Sequence, residues 1–152
     1  MFDALKDASV KPALAISLHT TFEDKRKKLL PRAGKIRIES LVNQAEDYAR
    51  ATGYPIQYQW TLMKGVNDGE DELENIAKLL QGKYALMNFI PVNAVENSPF
   101  QRPDWSRCQE MAQTLKSSRI LAKFRHSAAQ DVEGGCGQLR SRYLKGEELR
   151  HE

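Results

Sequence analysis

Stretches typical of β-strands alternate with helical patterns along this chain, and no other feature limits the possible fold as strongly. The stretch 12–18 is almost continuously apolar, as in a strand that is buried on both faces. The stretches 56–63, 84–90 and 120–124 are short and apolar, which also predicts strands. Alternation of strands and helices favours parallel strands joined by right-handed crossovers. The sequence therefore predicts an α/β fold with a parallel sheet.

Three helices are predicted between the strands. Apolar residues recur at helical spacing over 38–51, and Gly53 follows in the place of a C-cap glycine. Asp68 and Asp104 are the predicted N-caps of the next two helices. Each of these helices has an apolar stripe that is expected to face the sheet: Leu73, Ile76, Ala77 and Leu80 in the first, and Trp105, Cys108, Ala112 and Leu115 in the second.

The composition is that of one globular domain, with 41% hydrophobic and 28% charged residues among 152. No apolar run approaches the roughly 18 residues of a membrane span. The chain opens with no signal-peptide pattern, so no membrane partner is predicted. Two cysteines without the spacing of a disulfide scaffold predict a reducing, cytoplasmic location. The sequence has no CxxC and no HExxH motif, so no metal site is predicted.

Polar residues follow the predicted ends of all four strands. His19 follows the first strand, the loop 64–68 the second and the loop 91–97 the third, and the glycine-rich turn around Cys136 lies beyond the fourth. Because parallel strands end at the same edge of a sheet, these loops are expected to converge and form a ligand site. The mild net charge of +3 is compatible with an RNA ligand.

The predicted sheet has half the strands of an eight-stranded barrel. Residues 1–5 look like the last turn of a helix, so we expect the chain to be a fragment of a longer protein. Residues 1–137 would form the carboxyl-terminal half of a barrel, and residues 138–152 a polar carboxyl-terminal tail. The exposed strand edges of such a half would be covered by the missing amino-terminal half or by self-association.

Five short motifs occur in the order and at the approximate separations seen in one enzyme family. They lie at 14–19, 62–68, 90–93, 98–103 and 136–139. With these motifs the chain resembles, over nearly its whole length, the radical-SAM RNA methyltransferases of the RlmN/Cfr type, which methylate an adenine in 23S ribosomal RNA. Two stretches, 20–23 and 130–135, depart from the sequences usual in that family.

The resemblance implies the parallel-sheet half of a partial, TIM-like radical-SAM barrel. It implies methylation of an adenine carbon in ribosomal RNA, with transfer RNA as the alternative. It also implies S-adenosyl-L-methionine as a cofactor, contacted by Ser17, Leu18, His19 and Asn93, and Cys136 as the catalytic residue that carries the methyl group. The iron–sulfur cluster is expected in the missing amino-terminal portion, because the CxxxCxxC motif and the resolving cysteine are absent from this sequence. The isolated chain is therefore expected to be inactive.

Each of the candidate site residues also has a structural interpretation. His19 could bond to its own loop, and Ser17 could bond within its strand. Asn93 could form a turn, and Cys136 could be a small residue in a glycine-rich turn. Cys108 is interpreted as a packing residue, since it falls on the inner stripe of a helix.

Other features leave alternatives open. The polar residues of the loop 64–68 are interpreted as loop-closing and helix-capping rather than catalytic. The basic residues at 25–28, Arg32 and Lys35 indicate either RNA contacts or a solvated surface. For the chain as a whole, the alternatives to an RNA methyltransferase are a non-catalytic module that binds RNA or a partner, and an unrelated α/β-barrel enzyme that acts on a phosphorylated metabolite.

Overall fold

The computed structural model describes residues 12–93 and 99–125, so Cys136 and the boundary predicted at 137 lie outside the described residues. The strands are β1 (Ala15–Ser17), β2 (Ile56–Leu62), β3 (Ala85–Pro91) and β4 (Leu121–Phe124). The helices are α1 (Glu23–Leu29), α2 (Ile38–Thr52), α3 (Glu70–Leu80) and α4 (Trp105–Ser117), with a 3-10 turn at Ala33–Lys35. Within this part of the chain, no helix is both long and apolar enough to cross a bilayer.

All four strands pair in parallel, in the order β1-β2-β3-β4. Right-handed crossovers between sequential parallel strands place every connecting helix on the same side of the sheet. Helices α2, α3 and α4 accordingly cover one face. This is the arrangement of a barrel segment, whereas a doubly wound sheet carries helices on both faces. The predicted parallel α/β sheet is confirmed.

The main core lies between the sheet and these three helices. Tyr58, Trp60, Met87 and Phe89 point into it from β2 and β3 and are fully buried or nearly so. The rings of Trp60 and Phe89 meet edge to face, with centroids 6.3 Å apart. Burial of each large apolar side chain stabilises the fold by about 1.5–3 kcal/mol. Cys108 of α4 is fully buried in the same core, which confirms that it is a packing residue.

The ends of α2 and α3 show where local sequence rules hold and where they fail. Gly53 ends α2 with a left-handed φ of 79°, as predicted for a C-cap glycine. Helix α3 begins at Glu70 with Gly69 as its N-cap, so the prediction that Asp68 caps this helix is wrong. The Asp68 carboxylate instead accepts a hydrogen bond from the N–H of Gly65 at 2.9 Å. The carboxylate therefore closes its own loop.

Helix α4 begins directly after Asp104, the predicted cap position, although the Asp104 side chain makes no capping hydrogen bond. The prediction that Trp105 faces the core is wrong, because its side chain is 38% exposed. Trp105 packs edge to face on Phe124, with ring centroids 4.4 Å apart. In the first turn of the helix, the side chain lies over the end of β4 rather than over the middle of the sheet.

Nothing in the hydrophobic pattern predicts α1, because its sequence is charged almost throughout. Two of its residues explain its place in the fold: Leu29 is fully buried, and Arg26 is 1% exposed. A second apolar cluster joins α1 to the segments that follow β2 and β3. It consists of Leu29, Leu30, Met63, Val92 and Phe100. Tertiary contacts at these positions therefore stabilise a helix that the hydrophobic pattern does not predict.

Candidate functional site

His19 is built into the edge of the sheet directly after β1. The residue is buried, and its backbone φ of 62° is left-handed, which is uncommon for a residue other than glycine. Its Nδ1 accepts a hydrogen bond from the backbone N–H of Thr61 at 2.9 Å. In the neutral ring the proton therefore sits on Nε2. Within the described ranges, no residue accepts a hydrogen bond from this Nε2–H.

The environment of His19 also fixes its charge. Its pKa is lowered to about 4, first by burial and then by the positive charge of Arg26. The imidazole is therefore neutral at pH 7. His19 is thus held as an uncharged hydrogen-bond donor at the edge of the sheet.

Asn67 joins the loop after β2 to the loop after β1. Its side chain is buried, and its Nδ2 donates to the carbonyls of His19 at 2.8 Å and Thr61 at 2.7 Å. Its Oδ1 accepts from the N–H of Met63 at 2.8 Å. Two of these bonds fix Asn67 against the end of β2, and the third holds the carbonyl of His19, so together they keep the His19 backbone in its left-handed conformation. The predicted loop-closing role of Asn67 is confirmed.

The carboxylate of Glu72, in the first turn of α3, anchors the two residues that follow His19. Its Oε2 accepts from the Thr20 hydroxyl at 2.7 Å. Its Oε1 accepts from the Thr21 N–H at 2.8 Å and from the Thr21 hydroxyl at 2.6 Å. Lys25 Nζ lies 3.8 Å from Oε2 and supplies the opposite charge that this buried carboxylate needs. The two threonines lie in a stretch that departs from the family pattern, and here they pin the loop to α3.

Ser17 and Leu18 differ in what they can offer a ligand. The Leu18 side chain is fully buried in the core, and its N–H donates to the Gln59 carbonyl. Ser17 and Ala15 are exposed on the other face of the sheet, so the prediction that β1 is buried on both faces is wrong. That face has no helix over it within the described residues. The Ser17 hydroxyl can therefore meet a ligand, whereas the Leu18 side chain supports the backbone.

The open face of the sheet also carries a row of polar residues that sequence reasoning missed. Ser17 pairs with Gln59, Gln59 with Asn88, and Asn88 with Lys123. One polar residue from each strand therefore lies at the same level on the same face, and all four are exposed or half-buried. With neighbouring strands about 4.8 Å apart, the row extends over about 14 Å. Strand pairing is a tertiary relationship, so no local pattern predicts this row.

Asn93 follows β3 at the same edge of the sheet and is half-buried. Its Oδ1 accepts a hydrogen bond from Arg102 Nη2 at 2.6 Å. Arg102 Nε in turn donates to the Val92 carbonyl at 3.2 Å. Arg102 therefore orients the Asn93 side chain and keeps a positive charge beside the strand end.

The loops after β1, β2 and β3 converge, as predicted from the alternating pattern. Asn67 bridges the first two loops. The N–H of Lys64 donates to the Gln101 carbonyl at 2.8 Å, which connects the loop after β2 to the segment beyond β3. The position of Cys136 lies outside the described residues, so its place in this site stays a prediction. We call the converging edge around His19 and Asn93 the rim.

Two cofactors can be tested against these residues. The described segments contain one free cysteine, Cys108, whose pKa is raised by burial, and no group of three side chains that could hold a metal ion. They therefore do not fit an iron–sulfur cluster, which cysteine thiolates bind. The Ser17 hydroxyl, the neutral His19 ring and the Asn93 amide do fit S-adenosyl-L-methionine, because such groups bind ribose and amino-acid moieties.

Comparison with known proteins gives close relatives, although no protein-family model matches the chain. A probable RNA methyltransferase of Methylibium petroleiphilum is 59% identical over 146 residues, which are 96% of this chain and 42% of the relative. A probable RNA methyltransferase of Thiobacillus denitrificans is 59% identical over 144 residues, 95% of this chain and 40% of the relative. The chain thus spans about 40% of the length of the curated relatives that it matches.

Solved structures agree with these relatives. A radical SAM methyltransferase from Sphaerobacter thermophilus superposes with a TM-score of 0.81 and 33% identity, over 90% of this chain and 40% of that chain. A domain of pyruvate-formate lyase-activating enzyme from Bacteroides vulgatus shares the fold alone. It superposes with a TM-score of 0.60 and 17% identity, over 80% of this chain and 70% of that chain. The resemblance to the radical-SAM methyltransferases and the predicted fold class are confirmed.

Proposed function

We propose that this chain, which is homologous to part of the radical-SAM RNA methyltransferases, contributes to a cytoplasmic enzyme that methylates an adenine carbon in RNA. Ribosomal RNA is the primary candidate substrate and transfer RNA the alternative. In this proposal the rim binds S-adenosyl-L-methionine through Ser17, Leu18, His19 and Asn93, and Cys136 carries the methyl group. The 59% identity to relatives named probable RNA methyltransferase supports the proposal.

The observation that carries the proposal is the fixed, neutral state of His19. The bond from Thr61 occupies Nδ1, and the low pKa keeps the ring uncharged, so Nε2–H is a donor throughout the physiological pH range. The bonds of Asn67 prevent the residue from relaxing into ordinary strand geometry. A donor that is already oriented loses little entropy when a ligand binds. It suits an uncharged acceptor such as a ribose hydroxyl or an adenine ring nitrogen.

Ser17 and Asn93 would position the rest of the cofactor. The exposed Ser17 hydroxyl can both donate and accept. Asn93 presents its amide beside the charge of Arg102, and a guanidinium suits a carboxylate of an amino-acid moiety. When bound, S-adenosyl-L-methionine supplies a methyl group that a thiolate can accept.

Cys136 would accept that methyl group as the thiolate, which is the nucleophilic form of cysteine. The charges of Arg125 and Arg140, which are near in sequence, would favour loss of the thiol proton. Arg125 lies directly after β4, and its N–H donates to the Phe89 carbonyl at 2.9 Å. Cys108 does not compete for the methyl group, because it is fully buried in the core.

The resemblance also implies an iron–sulfur cluster, and the described residues hold no group of side chains that fits one. We therefore propose that the cluster is bound outside this chain, by an amino-terminal portion. On this proposal the chain alone does not complete the reaction.

An NMR titration of this chain with S-adenosyl-L-methionine tests the rim. The imidazole resonances of His19 should shift at millimolar ligand, while those of His151 serve as the internal reference. The Asn67→Ala variant, which releases the His19 carbonyl, should weaken the response. Unchanged His19 resonances in the wild-type chain would refute the cofactor assignment.

The second candidate function is a non-catalytic module that binds RNA or a partner. It is favoured by the lack of a cluster-binding group among the described residues. Mass spectrometry of Cys136 separates the two functions after co-expression with the amino-terminal part of the Methylibium petroleiphilum relative. A methyl group on Cys136 supports the methyltransferase, and an unmodified thiol supports the module.

A further inference from the structure

Five exposed cations lie together on the segment that follows the rim loop. They belong to α1, to the 3-10 turn and to the residues around that turn, and they are Lys27, Lys28, Arg32, Lys35 and Arg37. We call this set the basic surface. The segment 27–37 contains no acidic residue. None of the five cations forms an ion pair with another residue of the described ranges.

The basic surface is a local feature and does not follow from the overall composition. The formal net charge of the chain is +3, so the residues outside the basic surface together carry a small net negative charge. The flanking carboxylate of Glu23 already accepts a hydrogen bond from the N–H of Ile38 at 2.6 Å. The exposed carboxylates of Asp24 and Glu39 lie at its two ends, where they line clefts with Lys28 and Arg37. Between these ends the surface carries positive charge alone, and such a surface attracts a polyanion more effectively than a single small anion.

Arg26 ties the basic surface to the end of β1. Its buried guanidinium donates from Nη1 to the Ala33 carbonyl at 2.8 Å and from Nη2 to the Ser17 carbonyl at 3.3 Å. Gly34 lies directly against α1, since a Cβ at this position would come within 2.7 Å of the Lys27 Cα. The helix and the turn therefore pack backbone to backbone. The cations stand on a fixed unit beside the rim.

We propose that the basic surface binds phosphates of the RNA strand that flanks the target nucleotide, an inference that rests on the proposed function. Lysine and arginine contacts with phosphates supply affinity and orientation without reading the base sequence. The planar guanidinium of Arg32 can bind a phosphate with two hydrogen bonds, whereas the lysines act as point charges. The fixed distance to Ser17 then sets which nucleotide reaches the rim.

The test compares two variants of this chain with the same change in charge. The first removes four cations of the basic surface: Lys27→Gln, Lys28→Gln, Arg32→Gln and Lys35→Gln. The matched control removes four cations outside the basic surface, near the amino ends of β3 and β4: Arg50→Gln, Lys83→Gln, Lys116→Gln and Arg119→Gln. Fluorescence anisotropy measures binding to single-stranded RNA over a series of KCl concentrations, and circular dichroism checks that both variants fold like the wild type.

In the first variant, we expect the slope of log affinity against log salt to become shallower by about 0.7 for each lost phosphate contact, about 3 in all. Affinity at low salt should fall by roughly tenfold or more, with the control close to the wild type. An equal loss in both variants would overturn the inference, because binding would then follow total charge. Wild-type affinity in the first variant, or a wild-type chain that binds anionic vesicles but no RNA, would also overturn it.

The NMR titration with S-adenosyl-L-methionine separates this inference from the proposed function. A basic-surface variant that keeps the His19 shifts and loses RNA affinity supports both. A basic-surface variant that keeps both the His19 shifts and the full RNA affinity overturns phosphate binding by the basic surface and leaves the proposed function standing. A wild-type chain without His19 shifts overturns the proposed function, and the comparison of the two salt slopes still decides the docking role.

Discussion

The carbonyl of His19 accepts a hydrogen bond from Asn67 Nδ2 at 2.8 Å, across 48 residues of sequence. The bond connects the loops that follow β1 and β2 at the residue whose φ is 62°. A left-handed conformation costs a non-glycine residue about 1–2 kcal/mol. The contacts of Asn67 offset that cost, so the shape of the rim depends on this one amide.

Replacement of Asn67 by alanine should lower the free energy of unfolding by about 2–4 kcal/mol, because it removes three hydrogen bonds to buried backbone groups. The matched control is Asn43→Ala at an exposed position of α2, which should change stability by less than about 0.5 kcal/mol. Urea denaturation measures both. Equal effects of the two substitutions would show that Asn67 does not hold the loops together.

His19 should make the chain less stable in acid. Its folded pKa is about 4, whereas the ordinary pKa of histidine is 6.5, so the unfolded chain takes up the proton first as pH falls. The contribution is complete above about pH 6.5 and is lost as pH falls to about 4; it amounts to about 3 kcal/mol. The His19→Asn variant tolerates a left-handed backbone and does not titrate. Between pH 7 and about pH 4, the free energy of unfolding should therefore fall less in this variant than in the wild type. An equal fall in both would contradict the low pKa of His19.

The Glu72→Gln substitution should lower the free energy of unfolding by about 1–3 kcal/mol. The amide presents one oxygen where the carboxylate presents two, so one of the donors on Thr20 and Thr21 loses its acceptor. Glu74→Gln, an exposed position on the same helix, is the matched control. The His19 resonances should move in the first variant only, and a shift of similar size in both would argue against a role of Glu72 in shaping the rim.

The Gly34→Ala substitution should separate α1 from the turn and weaken RNA binding. The new Cβ would lie 2.7 Å from the Lys27 Cα and 3.0 Å from the Arg26 carbonyl oxygen, so the backbone must move, at a cost of about 1–3 kcal/mol. Gly82→Ala is the control: it introduces strain at a φ of 74° but meets no atom within 4 Å. Anisotropy should show weaker RNA binding for Gly34→Ala alone. Wild-type affinity in this variant would mean that the packing of the turn does not position the cations.

The sequence predicts those parts of the fold that depend on local patterns. The strands, the C-cap at Gly53 and the buried place of Cys108 follow from periodicity and from the conformational freedom of glycine. The convergence of the loops at one edge follows from the topology of parallel strands. The position of His19 at this edge could be predicted for the same reason, since it is the first polar residue after a strand.

The sequence does not predict features that depend on contacts between distant residues. Helix α1 forms from a charged stretch because Leu29 and Arg26 are buried against other segments. In the sequence, Glu72 resembles any other acidic residue in the first turn of a helix. Only the structure shows that it binds Thr20 and Thr21 of the rim loop. Asp68 resembles an N-cap, but its carboxylate accepts a hydrogen bond from Gly65 in its own loop.

Anaerobic reconstitution of this chain with iron and sulfide should leave it without a stoichiometric cluster. The cluster motif of the family has three cysteines, whereas this sequence has two. Cys108 is fully buried and its pKa is raised by that burial, so it is a poor source of thiolate. Only Cys136 then remains to bind iron. Iron and sulfide analysis with absorbance spectroscopy measures the outcome, with Cys136→Ser as the matched control for loosely bound iron, and a full complement of iron and sulfide on the wild-type chain would contradict the proposal that the cluster is bound outside it.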